Sequence, residues 1–72
     1  MTRKHFEAIA HELALVESGL PAANPAIRRI WHETCLGMAK VCHAANNRFD
    51  GYKFFCACGV DKDQARYLAA FV

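Results

Sequence analysis

Phe6, Ile9, Leu13, Val16 and Leu20 recur at alternating steps of three and four, the repeat that lines one face of an α-helix. Lys4, Glu7, His11 and Glu12 fall off that line, so the opening segment predicts an amphipathic helix of about four turns. Thr2 is suited to cap it. Gly19 suits the position just past its end, and Pro21 and Pro25 oppose continuation through the loop Gly19-Leu20-Pro21-Ala22-Ala23-Asn24-Pro25.

Asn24-Pro25 then reads as a cap followed by a first-turn proline. At about 100° per residue, Ile27, Ile30, Trp31, Thr34, Met38, Val41, Cys42 and Ala45 fall on one broad face, with Cys35 at its edge. This helix is expected to run to Asn46 or Asn47 and to organise the core. Gly37 sits inside it at a cost of about 1 kcal/mol relative to alanine, at the margin of the stripe, where another helix could approach closely.

Two short helices follow. Asp50 is the expected cap of the first, with Phe49 and Phe54 in staple positions, and Gly59 is its expected end. Asp61 with Gln64 forms a capping-box variant for the second, flanked by Val60 and Ala65. Its apolar side carries Ala65, Leu68 and Val72, with Tyr67 and Phe71 on another side. No segment alternates at period two. The expectation is an all-α fold, a compact bundle of about four helices (two longer, two short and C-terminal), forming one domain over residues 1–72.

Composition supports folding. The chain is 54% hydrophobic and 22% charged, outside the range of disordered sequences. A chain this short buries only roughly 60% of its unfolded surface, so extra stabilisation through a homodimer is expected, and the apolar end Tyr67-Leu68-Ala69-Ala70-Phe71-Val72 is either tucked into the core or shared with that second copy. Apolar runs are too short for a transmembrane helix, and the basic start meets acid at Glu7, unlike a secretory signal. The cytoplasm is the expected compartment, where four cysteines stay reduced.

Four cysteines and four histidines raise the question of zinc, but the spacings argue against it. Cys35 and Cys42 share a helical face yet are about 10.5 Å apart in rise, too far for one tetrahedral site. Cys56 and Cys58 diverge by about 200° on a helix, and Cys42 and His43 by about 100°. The one compact local pair, His32 with Cys35, would need further ligands from the Cys56–Cys58 segment. No paired carboxylates, phosphate-cradling glycine loop or nucleophile elbow is present. No metal, cofactor or catalytic residue is therefore assigned, and a binding protein is expected in place of an enzyme.

The polar side of the long helix offers the candidate binding surface: Arg29, His32, Leu36, Lys40 and His43 lie within a narrow sector. Leu36 is a large apolar side chain among basic and imidazole groups, a candidate anchor with a basic rim suited to an acidic protein surface. Leu15 plays a similar part on the first helix, and a solvated face with incidental leucines is the simpler reading of both. Arg28, Arg29, Lys40, Arg48 and Lys53 leave a second option, a nucleic-acid-binding regulator whose last two helices form a helix-turn-helix. That helix offers only Lys62, Gln64 and Arg66 as readers, and the net charge of +2 is small.

The stretches Met1-Thr2-Arg3-Lys4-His5-Phe6-Glu7-Ala8-Ile9-Ala10 and Asn47-Arg48-Phe49-Asp50-Gly51-Tyr52-Lys53-Phe54-Phe55-Cys56-Ala57-Cys58-Gly59 resemble a group of small bacteriophage and mobile-element proteins. The resemblance covers about a third of the chain and includes no catalytic motif. It implies a phage-type accessory protein, a class in which compact proteins often inhibit a host defence or regulatory complex, anti-CRISPR proteins among them. The partner it implies is a host protein or protein complex.

Overall fold

Asn24 starts the longest helix by accepting two of the amides that its first turn leaves free. Its Oδ1 takes hydrogen bonds from the N–H groups of Ala26 (3.1 Å) and Ile27 (3.2 Å). A computed structural model describes residues 2–21 and 23–72, and Met1 and Ala22, which fall within the opening stretch and the first loop, lie outside them. The helices are α1 (Arg3–Ser18), α2 (Pro25–Ala45), α3 (Gly51–Ala57) and α4 (Lys62–Ala69). No strand occurs among the described residues. The all-α class and the two-long, two-short order are as expected.

Each helix start has a side-chain device. Thr2 precedes α1, and its backbone N–H donates to Nδ1 of His5 at 3.0 Å. Asp50 accepts from the N–H of Lys53 at 3.1 Å. Asp61 caps α4 through the N–H of Asp63, also at 3.1 Å, and no hydrogen bond returns from Gln64 among the described residues.

Helix α3 ends in a Schellman turn. Val60 N–H donates to the carbonyl of Phe55 and Gly59 N–H to that of Cys56, while Gly59 takes φ +97°. Val60 and Phe55 are both buried, which supplies the apolar contact that accompanies this turn. The chain reverses there, and α4 packs back on α3.

The core differs from the expected stripe in two ways. Its centre is the short helix α3, which packs against each of the other three, whereas α1 and α2 meet only locally. Phe55 is fully buried and Phe54 nearly so. They share one core with small side chains of α2: Cys35, Ala39 and Cys42 are fully buried in it, and Trp31 is nearly so.

The buried face of α2 is therefore rotated from the one predicted. Cys35 lies at its centre instead of its edge, and Ile30 and Val41, which pure hydrophobicity would bury, are 63% and 53% exposed. Thr34 and Ala45 are exposed with them.

Aromatic contacts join the opening stretch of the chain to the stretch that begins α3. The ring of Phe6 on α1 meets Phe49 edge-on at 5.0 Å, and Phe49 meets Phe54 at 5.2 Å, the predicted staple. Those stretches thus pack on each other and serve the fold.

Candidate functional site

Between α2 and α4 lies an open groove of about 630 Å³. Pro25, Arg28, Arg29, His32, Glu33 and Leu36 form its α2 wall, and Gln64, Tyr67 and Leu68 its α4 wall. Leu68 is buried and Leu36 half-buried against the core, so together they give an apolar floor. Tyr67 stands 61% exposed at the rim, and its ring meets that of Phe71, itself 53% exposed, edge-on at 5.2 Å.

The charges along the α2 wall are unequal in freedom. Arg28 is committed: it bonds Glu17 of α1 at 2.8 Å and its guanidinium lies 5.5 Å from the Trp31 ring. Arg29 is largely exposed, and its contact with Glu33, one turn on, is long at 3.4 Å. An exposed pair of this kind is worth little and gives way to a better partner. Among the described residues that line the groove, Arg29 is thus the available cation. His32 lies between them, half-buried, with its ring tilted against Trp31 at 5.2 Å. Burial, and then the charge of Arg28, hold its pKa below the ordinary 6.5, so the imidazole is neutral at physiological pH.

Of the five residues singled out on α2, the groove brings together Arg29, His32 and Leu36. Leu36 is not the exposed anchor expected, because its side chain turns down onto the core. Lys40 and His43 are exposed further along α2 and do not line the groove, and neither does Leu15, exposed on α1. Tyr67 and Phe71 were absent from the expected site. Their signal was legible: Tyr67 lies on α4 off the side that carries Ala65 and Leu68, and Phe71 follows four residues later, just past the helix end.

A second cavity of about 460 Å³ lies where α1 meets the start of α3. Phe6, Phe49 and Phe54 line its interior, and Arg3, Glu7, Arg48, Asp50 and Lys53 its edge. Both cations and carboxylates border it, and Arg3 is paired with Glu7 at 3.1 Å.

The thiols belong to the core. All four cysteines are free, and Cys35, Cys42 and Cys58 are fully buried. A hydrogen bond with the Cys35 thiol and burial push Cys58 far above the usual thiol range, and burial raises Cys42. Cys42 and Cys58 therefore stay protonated and act as small apolar packing groups, while the hydrogen bond with Cys58 lowers the Cys35 thiol against the opposing effect of burial. Among the described residues no three or more His, Cys, Asp or Glu side chains are grouped to hold a metal ion. No described helix is long and apolar enough to cross a membrane.

No protein-family model matches this chain, and no curated protein and no solved structure shows significant similarity to it.

Proposed function

We propose that this chain is a phage-type accessory protein that works in the host cytoplasm by binding a host protein, and not by catalysis. The observation that carries the reading is the exposed Tyr67–Phe71 pair beside an apolar-floored groove with Arg29 at its rim. Aromatic and arginine side chains are the types that dominate protein interfaces, because they combine large contact area with a polar or charged tip. Leu36 and Leu68 would receive an apolar side chain of the partner, and Arg29 would exchange its weak contact with Glu33 for a partner carboxylate.

The class of partner follows from the resemblance in the two stretches that meet at Phe6 and Phe49: a host defence or regulatory complex, such as a CRISPR effector. Inhibition would follow from occupying a surface that the complex needs.

The test has two stages. The tagged chain is used to capture a partner from host cells, and the complex is then rebuilt from purified components. Arg29→Glu with Tyr67→Ala should lower affinity for the purified partner at least tenfold while leaving helicity intact. Unchanged affinity removes the groove from the account. Salt-sensitive binding to duplex DNA or RNA without a protein partner would favour the nucleic-acid regulator instead.

A further inference from the structure

On the side of α2 turned away from the core, Ile27, Ile30, Thr34, Gly37, Val41 and Ala44 follow one another at steps of three, four, three, four and three. That is the repeat of a helix-pairing seam. Ile30 and Val41 are more than half exposed, and Thr34, Gly37 and Ala44 are exposed with them. Gly37 is the informative member. A glycine in mid-helix costs stability relative to alanine and leaves room for another backbone to approach closely. Here a Cβ built on Gly37 would meet nothing within 4 Å. Nothing described in this chain uses the space that the glycine keeps open. Thr34 suits a covered face too, since its hydroxyl already donates to the carbonyl of Ile30 at 2.9 Å.

The charges beside the seam select the occupant. Glu33 and Lys40 lie seven residues apart on the same flank, immediately before Thr34 and Val41. In a parallel pair each would face the opposite flank of its neighbour, which carries Trp31, Met38 and Ala45 and no charge. In an antiparallel pair this flank faces its own copy, so Glu33 of each chain meets Lys40 of the other, twice. The same register puts Thr34 opposite Gly37 at the centre, Ile30 opposite Val41, and Ile27 opposite Ala44. One register therefore matches small to large along the seam and opposite charge along its flank.

We infer that α2 pairs with α2 of a second copy of this chain, antiparallel, about a two-fold axis near the Thr34–Gly37 crossing. Arg29, His32 and Leu36 lie off this seam, and Glu33, whose contact with Arg29 is long at 3.4 Å, stands at the edge that seam and groove share, so the dimer presents two open α2–α4 grooves. The inference does not depend on what those grooves bind. A seam of one helix per chain is smaller than the roughly 800 Å² per partner of a standard interface, so the expected affinity is micromolar.

Sedimentation equilibrium of the full chain, from roughly 1 μM to 1 mM, tests it. The wild type should show a reversible monomer–dimer equilibrium. Glu33→Lys alone places four lysines on the flank and Lys40→Glu alone places four glutamates, so each should weaken the dimer roughly tenfold. The double variant should return to within about threefold of the wild type. Mixing the two single variants should also restore association, as a heterodimer. Far-UV circular dichroism should report unchanged helicity in every variant, since both positions are exposed. A monomer at every concentration overturns the inference. So does a dimer that is indifferent to both charge reversals, or one lost with Tyr67→Ala, which would place the contact at the α4 groove.

Discussion

The indole N–H of Trp31 on α2 donates to the backbone carbonyl of Leu13 on α1 at 3.1 Å. This bond, with the Glu17–Arg28 pair beside it, ties together two helices that otherwise meet over a short stretch. It gives a buried ring its polar partner and fixes where α2 leaves α1, and therefore where the groove wall carrying Arg29 and His32 stands. Trp31→Phe removes the donor together with the five-membered part of a buried ring. We expect a loss of about 1–2 kcal/mol in urea unfolding followed by circular dichroism. A loss below about 0.3 kcal/mol would show that the bond does not hold the pair.

The two glycines at positions 37 and 59 should answer oppositely to alanine. Gly59 has φ +97°, and a Cβ there would meet only Glu17 Oε2, at 3.8 Å, so Gly59→Ala suffers from backbone conformation and not from crowding. A loss of about 1–2 kcal/mol is expected in thermal or urea unfolding. Gly37 has ordinary helical geometry and open space, so Gly37→Ala should stabilise the monomer by about 0.5–1 kcal/mol. The same change should weaken self-association, because it fills the point of closest approach. A variant more stable in dilute solution yet less dimeric is the expected signature.

His32 makes the groove sensitive to acid. Its folded pKa lies below 6.5, so as pH falls through 6.5 the unfolded chain takes up the proton first. Stability contributed by the neutral imidazole is thus complete above 6.5 and declines between 6.5 and the lower folded value. His32→Asn should flatten this part of the stability profile, leaving the carboxylate-driven decline at lower pH. Identical wild-type and variant profiles between pH 5 and 7 would contradict the assignment.

Much of the fold was legible because its signals are local. Thr2, Asn24, Asp50, Asp61 and Gly59 announce where helices start and stop, and each acts within a few residues of itself. The choice of buried face on α2 was not local. Hydrophobicity favours Ile30 and Val41, but the face of α2 that enters the core beside α3 carries the small side chains of Cys35, Ala39 and Cys42, and that choice is visible only once α3 is in place. The same rotation turned Leu36 inward and left an apolar seam outside. Arg29 and His32 were recognisable as surface residues of one helix, whereas Tyr67 joins them only through the reversal at Gly59, more than thirty positions along the chain.

The most direct test of the account is the affinity of the purified chain for its purified host partner, measured by calorimetry with the wild type and with Arg29→Glu/Tyr67→Ala. Both positions are exposed, so the variant should retain the helicity of the wild type. The account predicts saturable binding by the wild type and affinity at least tenfold weaker in the variant. Equal affinities would contradict it, because a partner that ignores Arg29 and Tyr67 does not use the α2–α4 groove.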